Sequence, residues 1–113
     1  MKLTCHCENI EIEVQPPLQL TSCNCSICRR YQSLWGYYSP QDVSIKIGEG
    51  GSYAYVWGDR EIEFMHCGGC GCVTHYKTVE GQADAKVAIN FRMVREQELV
   101  DVPRRFFDGE AMI

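Results

Sequence analysis

Apolar and polar positions alternate along most of the chain. In "ENIEIEV" (8–14), Ile10, Ile12 and Val14 fall on one face and Glu11 and Glu13 on the other, the pattern of a half-buried strand. "QPPL" (15–18) breaks it, since proline fixes φ and donates no backbone hydrogen bond. "SLWGYYS" (33–39) is aromatic and strand-prone up to Pro40, and "VSIKIG" (43–48) alternates again until "GEGG". "SYAYVWG" (52–58) and "REIEFMH" (60–66) flank Gly58-Asp59, which reads as a tight hairpin turn with Asp59 as a turn residue. "VTHYKTV" (73–79) and "AKVAINFR" (85–92) are two further strands. "CSICRRYQ" reads as a short helical turn, residues 94–99 as one more, and the chain after Pro103 as irregular.

About seven short strands and almost no helix make the fold class mostly β, arranged as two sheets or a partly open barrel. No repeat or Pro/Gly/Ser-rich linker divides the chain, and 113 residues suit one domain, residues 1–113.

Composition narrows the function. Apolar content of 45% and charged content of 23% are those of a globular domain. The net charge of −4, with no Lys/Arg run longer than Arg29-Arg30 or Arg104-Arg105, argues against nucleic acid and against an anionic membrane surface as partners. No stretch approaches the roughly 20 apolar residues of a membrane span. "MKLTCHCENIEIEV" lacks the apolar core of a signal peptide, so a cytoplasmic location is expected.

In that compartment the eight cysteines are not expected to form disulfides, and their spacing points to metal binding instead, with Cys72 either a ligand or a small buried residue. They form three groups: "CHC" (Cys5, Cys7), "CNCSIC" (Cys23, Cys25, Cys28) and "CGGCGC" (Cys67, Cys70, Cys72). Thiolates suit zinc, and C-x-C and C-x-x-C spacings bring two sulfurs to one ion from a tight turn. Gly68, Gly69 and Gly71 supply the turn, often with positive φ. One sharing makes Cys5, Cys7, Cys67 and Cys70 a closed structural site. It leaves Cys23, Cys25 and Cys28 with the three ligands and one open position of catalytic zinc, two Zn2+ per chain in all. In the other, Cys72, His6, His66 or His75 closes the triplet and the protein is a non-catalytic zinc-bound β domain acting as a binding module.

The ordered pattern, "CHC" (5–7), "CNCSICRR" (23–30), "PQDVSIKIGEG" and "YVWGDREIEFMHCGGCGCVTHY" (55–76), resembles the glutathione-dependent formaldehyde-activating enzyme and centromere protein V family. The resemblance covers residues 3 to about 92. It implies a β-tent-like two-sheet fold built around zinc-binding cysteine loops. It places structural zinc on Cys5, Cys7, Cys67 and Cys70, and catalytic zinc on Cys23, Cys25 and Cys28. The activity it implies is that of a carbon–sulfur lyase, S-(hydroxymethyl)glutathione synthase-like, joining a small thiol such as glutathione to formaldehyde or a related aldehyde, or the reverse. Cys72 stands where the family often has another residue. The basic extension that would suit DNA binding is not part of this sequence.

Arg29 and Arg30 follow the last triplet ligand and are candidates to pair with a carboxylate of the thiol substrate. The other reading is a solvated pair at a turn. Trp35, Tyr37 and Tyr38 either line a pocket or belong to the core; Trp57 and Phe64 read as core. Nothing in the sequence sets the oligomeric state.

Overall fold

All seven segments with strand patterning are strands in the computed structural model, which describes residues 1–58, 60–79 and 85–112. In chain order the described strands are β1 (Lys2–Thr4), β2 (Ile10–Glu13), β3 (Leu20–Cys23), β4 (Trp35–Tyr38) and β5 (Ser44–Ile47), then β6 (Ser52–Tyr55), β7 (Ile62–Cys67), β8 (Val73–Thr78), β9 (Val87–Asn90) and β10 (Arg104–Phe107). One helix, α1 (Ser26–Tyr31), lies between β3 and β4. The strands form a three-stranded sheet, β1-β2-β5, and a seven-stranded sheet, β10-β3-β4-β9-β8-β7-β6.

Two expectations are corrected. The β6–β7 connection is wider than a two-residue turn. The ladder stops at the Tyr55–Phe64 pair, and Arg60 N donates to Trp57 O (3.1 Å) with Gly58 and Arg60 both at φ 63°. Trp57 and Gly58 leave the ladder to line a cavity, and Asp59 lies outside the described residues. The chain after Pro103 is also not irregular. Arg104–Phe107 pairs with β3 in parallel, in register from Arg104↔Leu20 to Phe107↔Cys23. All four side chains of β10 are exposed, so no alternation marks the strand in sequence. The expected helical turn near residue 96 is a 3₁₀ turn, Glu96–Glu98.

The large sheet has two apolar faces, and the period of two sorts residues between them. On β9, Val87 and Ile89 join Ile10, Ile12, Val14, Leu20 and Phe91 in the core shared with the small sheet, while Ala88 joins Trp35, Phe64 and Cys28 on the opposite face. The β2 reading holds in detail: Ile10, Ile12 and Val14 are buried and Glu13 is exposed. The second face carries α1 and the cavity beside the cysteine triplet.

Candidate metal centres and the adjoining cavity

The Sγ atoms of Cys5, Cys7, Cys67 and Cys70 all lie within 4.8 Å of one another. Cys5 and Cys7 come from the β1–β2 turn. Cys67 ends β7, and Cys70 belongs to the turn that follows. The Cys5–Cys7 and Cys7–Cys67 sulfurs are 3.8 and 3.5 Å apart. A tetrahedral zinc with bonds of about 2.3 Å sets its sulfurs about 3.8 Å apart, so this donor set fits such an ion. Backbone N–H groups point at the sulfurs: Ile10 N at Cys5 (3.3 Å), and Gly69 N and Cys70 N at Cys67 (3.3 and 3.4 Å). The Cys70 N–H above all, helped by the Asn9 amide, holds the Cys67 thiol down to about 6 against its burial.

The glycines of "CGGCG" work differently from one another. Only Gly71 takes positive φ (77°). Gly69 leaves room for Cys7 Sγ, which a Cβ would approach to 3.2 Å. Gly68 is backed directly by the Gly50–Gly51 backbone and donates its N–H to Gly51 O at 2.9 Å.

The Cys23, Cys25 and Cys28 sulfurs form a second group within the same 4.8 Å limit. Cys23 ends β3, Cys25 caps α1, and Cys28 sits one turn in. Cys25 Sγ accepts from Cys28 N (3.5 Å), and Cys23 Sγ accepts from Cys25 N (3.4 Å). Burial pushes the Cys23 and Cys28 thiols up. It pushes Cys25 up too, but the Cys28 N–H, the neighbouring Cys28 and Cys23 thiols and the Ile27 N–H together outweigh it, and the net shift is downward. From the other side, Trp35 Nε1 donates to Cys28 Sγ (3.4 Å). Three clustered thiols with N–H donors aimed at them form a donor set that suits a soft cation such as zinc. Among the described residues, no fourth Cys, His, Asp or Glu joins this group.

Beside the triplet lies a cavity of about 390 Å³. Its floor is Cys23, Cys25 and Cys28; Trp35, Phe64 and Tyr76 form one wall. Tyr37, Trp57 and Ile62 continue the wall, and Phe107 and Gly109 close the side nearest the chain's end. Trp35 and Tyr76 meet edge-on at 4.8 Å, as do Phe64 and Tyr76 at 5.4 Å, which fixes the wall's shape. Burial pushes the Tyr76 phenol far up, so it stays protonated.

The family model described as glutathione-dependent formaldehyde-activating enzyme matches residues 1–107. The chain belongs to that family. A Rhodobacter sphaeroides protein of known crystal structure is similar to it, with a TM-score of 0.74 and 28% identity over 93% of this chain and 100% of that one. A search of curated proteins returned no match. The family is named for activating formaldehyde with glutathione, and both cysteine groups of this member are compatible with zinc.

The other candidates fall outside the two clusters of this family member. Cys72 packs half-buried against the main core, with its Sγ 3.8 Å from Val73 O. His6 is exposed. His66 is buried, bonded through Nε2 to Tyr31 OH (3.0 Å) and stacked on Tyr53. His75 is buried against Thr74 Oγ1 (2.8 Å). Arg29 and Arg30 are exposed on α1, and neither lines the cavity; Arg30 Nη1 donates to Ser26 O (2.8 Å). Tyr37 and Trp35 line the cavity, and so does Trp57, which had read as core. Tyr38 turns away and donates to Gln15 O.

Two asparagines were missed. Asn9 donates to Gly51 O (2.9 Å) and Cys67 Sγ (3.3 Å) and accepts from Gly50 N (2.9 Å), tying the β5–β6 turn to the four-cysteine cluster. Asn24 donates to Asp108 Oδ1 (2.8 Å) and accepts from Glu110 N (2.9 Å), pinning the C-terminal segment over the triplet. Their signal was position: a short amide inside or just past a ligand loop readily bonds nearby backbone.

Proposed function

We propose that this protein is a zinc-dependent carbon–sulfur lyase-type enzyme that adds a small thiol to formaldehyde or a related aldehyde, or runs the reverse. The observation that carries the reading is the three-sulfur group, without a fourth described ligand, forming the floor of a cavity. Three protein ligands and an open position are the pattern of catalytic zinc, four that of structural zinc.

In this reading Cys5, Cys7, Cys67 and Cys70 hold a structural Zn2+, and Cys23, Cys25 and Cys28 hold a catalytic one. Zinc at the triplet would supply one thing: a substrate thiol kept in its thiolate form near neutral pH. The chain does the rest. Trp35 and the α1 N–H groups fix the three sulfurs, and the aromatic wall sheds water and confines the two reactants, which supports their addition by proximity. The carbon–sulfur bond forms, the carbonyl π bond breaks, and the oxygen takes up the proton the thiol released. For a thiol that carries a carboxylate and extends beyond the cavity, as glutathione would, Arg29 and Arg30 would be the carboxylate partners. The working unit is one domain, residues 1–113, in the cytoplasm.

NMR exchange between free and thiol-bound formaldehyde tests the reading. The zinc-loaded protein should speed exchange of formaldehyde with an added thiol, and Cys25→Ser should abolish the effect while the fold persists. Exchange unchanged by Cys25→Ser would leave a non-catalytic zinc domain as the better account.

A further inference from the structure

Resting on the reading above, we infer that the thiol held beside Cys23, Cys25 and Cys28 is an uncharged molecule with an apolar, ring-sized body rather than glutathione. The argument is one of charge. Six of the side chains around the cavity are aromatic: Trp35, Tyr37, Trp57, Phe64, Tyr76 and Phe107. Ile27 and Ile62 fill the gaps between them. Among the described residues that line it there is no Lys, Arg, His, Asp or Glu.

Glutathione carries two carboxylates and an ammonium at neutral pH. Each must keep its water or find a partner when it is buried, and this wall offers neither an opposite charge nor a row of donors. Arg105 lies 6.0 Å from the Phe107 ring centroid, but its Nε is committed to Thr21 Oγ1 (3.0 Å), and neither it nor the exposed Arg29 and Arg30 lines the cavity.

Size points the same way. Formaldehyde is close to a water molecule in bulk, and a water occupies about 30 Å³ of liquid. A cavity of about 390 Å³ therefore leaves most of its space for the body of the thiol. Aromatic walls held edge-to-face favour a ring or branched aliphatic group there. The reaction balances without an oxidant. R–SH adds across H₂C=O to give R–S–CH₂–OH, with the sulfur on carbon and the thiol proton on oxygen.

The test uses the zinc-loaded protein under reducing conditions, titrated separately with benzyl mercaptan and with glutathione while the indole N–H resonances of Trp35 and Trp57 are followed. Benzyl mercaptan should shift both indoles and bind at least about tenfold more tightly than glutathione. Ile62→Lys, which sets a cation in the wall, should weaken benzyl mercaptan by a similar factor. Phe107→Ala, at the half-exposed rim, should weaken it severalfold and stands in if Ile62→Lys fails to fold. Glutathione binding as tightly as benzyl mercaptan, or benzyl mercaptan binding indifferent to the substitutions, overturns the inference. Zinc analysis of the same sample separates the two levels. A zinc-loaded triplet that prefers glutathione overturns the thiol class alone; a triplet that takes no zinc overturns the enzyme reading as well.

Discussion

The indole Nε1 of Trp35 donates to Cys28 Sγ across 3.4 Å, and both residues are buried. One N–H thus orients the most enclosed sulfur of the triplet. Trp35→Phe keeps an aromatic ring and removes the donor. Partners of this kind are worth about 10- to 100-fold in metal affinity, so zinc at the triplet should weaken by at least about tenfold, with the four-cysteine cluster unaffected. Competition against a chromophoric chelator reads both sites. Equal affinity in the variant would show that the bond carries no weight.

The two clusters should respond differently to loss of a sulfur. Cys25→Ser should give a folded protein that binds one zinc instead of two, because the triplet is held within one loop and helix. Cys67→Ser should unfold or aggregate, because its cluster joins the β1–β2 turn to the end of β7, and structural zinc contributes on the order of 10 kcal/mol of folding free energy. Metal analysis with circular dichroism checks this, and identical behaviour of the variants would refute the division.

Gly109 is buried, and a Cβ there would sit 2.6 Å from Cys23 Sγ and 3.1 Å from Cys25 Cβ. Gly109→Ala should push the C-terminal segment off the triplet or displace Cys23, at a cost of about 1–3 kcal/mol. Metal content at the triplet should fall with it. Full metal binding at wild-type stability would mean that the segment moves aside freely.

Asn9→Ala removes the two hydrogen bonds to the Gly50–Gly51 backbone and the one to Cys67 Sγ. At about 1 kcal/mol each, zinc-loaded protein should lose roughly 2–4 kcal/mol in denaturant unfolding. A loss near zero would mean that water replaces the amide.

Buried His75 has its pKa lowered to about 4 by burial first and by Lys77 second; its cross-strand neighbours are Met65 and Ile89. Unfolded, the ring titrates near 6.5. Its contribution is fully present above about pH 6.5 and is lost as the pH falls toward 4, because the unfolded chain takes the proton first. The full span is worth about 3 kcal/mol. His75→Gln should flatten the stability profile between these pH values relative to wild type, which separates this effect from acid release of metal. Parallel profiles would exclude His75 as the source.

Much of the fold was legible because its cause is local. Ile10, Ile12 and Val14 alternate with glutamates, and the strand follows. The cysteine spacings were legible for the same reason, since C-x-C and C-x-x-C define tight turns whatever surrounds them. The β6–β7 connection was misjudged because Gly58 suits a two-residue turn in isolation, whereas Trp57 leaves the ladder for the cavity. β10 gave no signal because a fully exposed edge strand needs no buried face.

The sequence alone determined which residues are strand-forming, which carry sulfur, and which sulfurs can turn together. Tertiary structure decided what lies against those sulfurs. Phe107 and Gly109 reach the triplet through the parallel pairing of β10 with β3, more than 80 positions away along the chain, and through the Asn24 bonds to Asp108 and Glu110. The same large-sheet packing brings Trp35, Phe64 and Tyr76 to one wall and leaves Cys72 half-buried against the main core, away from the triplet. Such pairings rest on backbone hydrogen bonds and shape, which carry no residue code, so they are fixed only when the whole chain is packed.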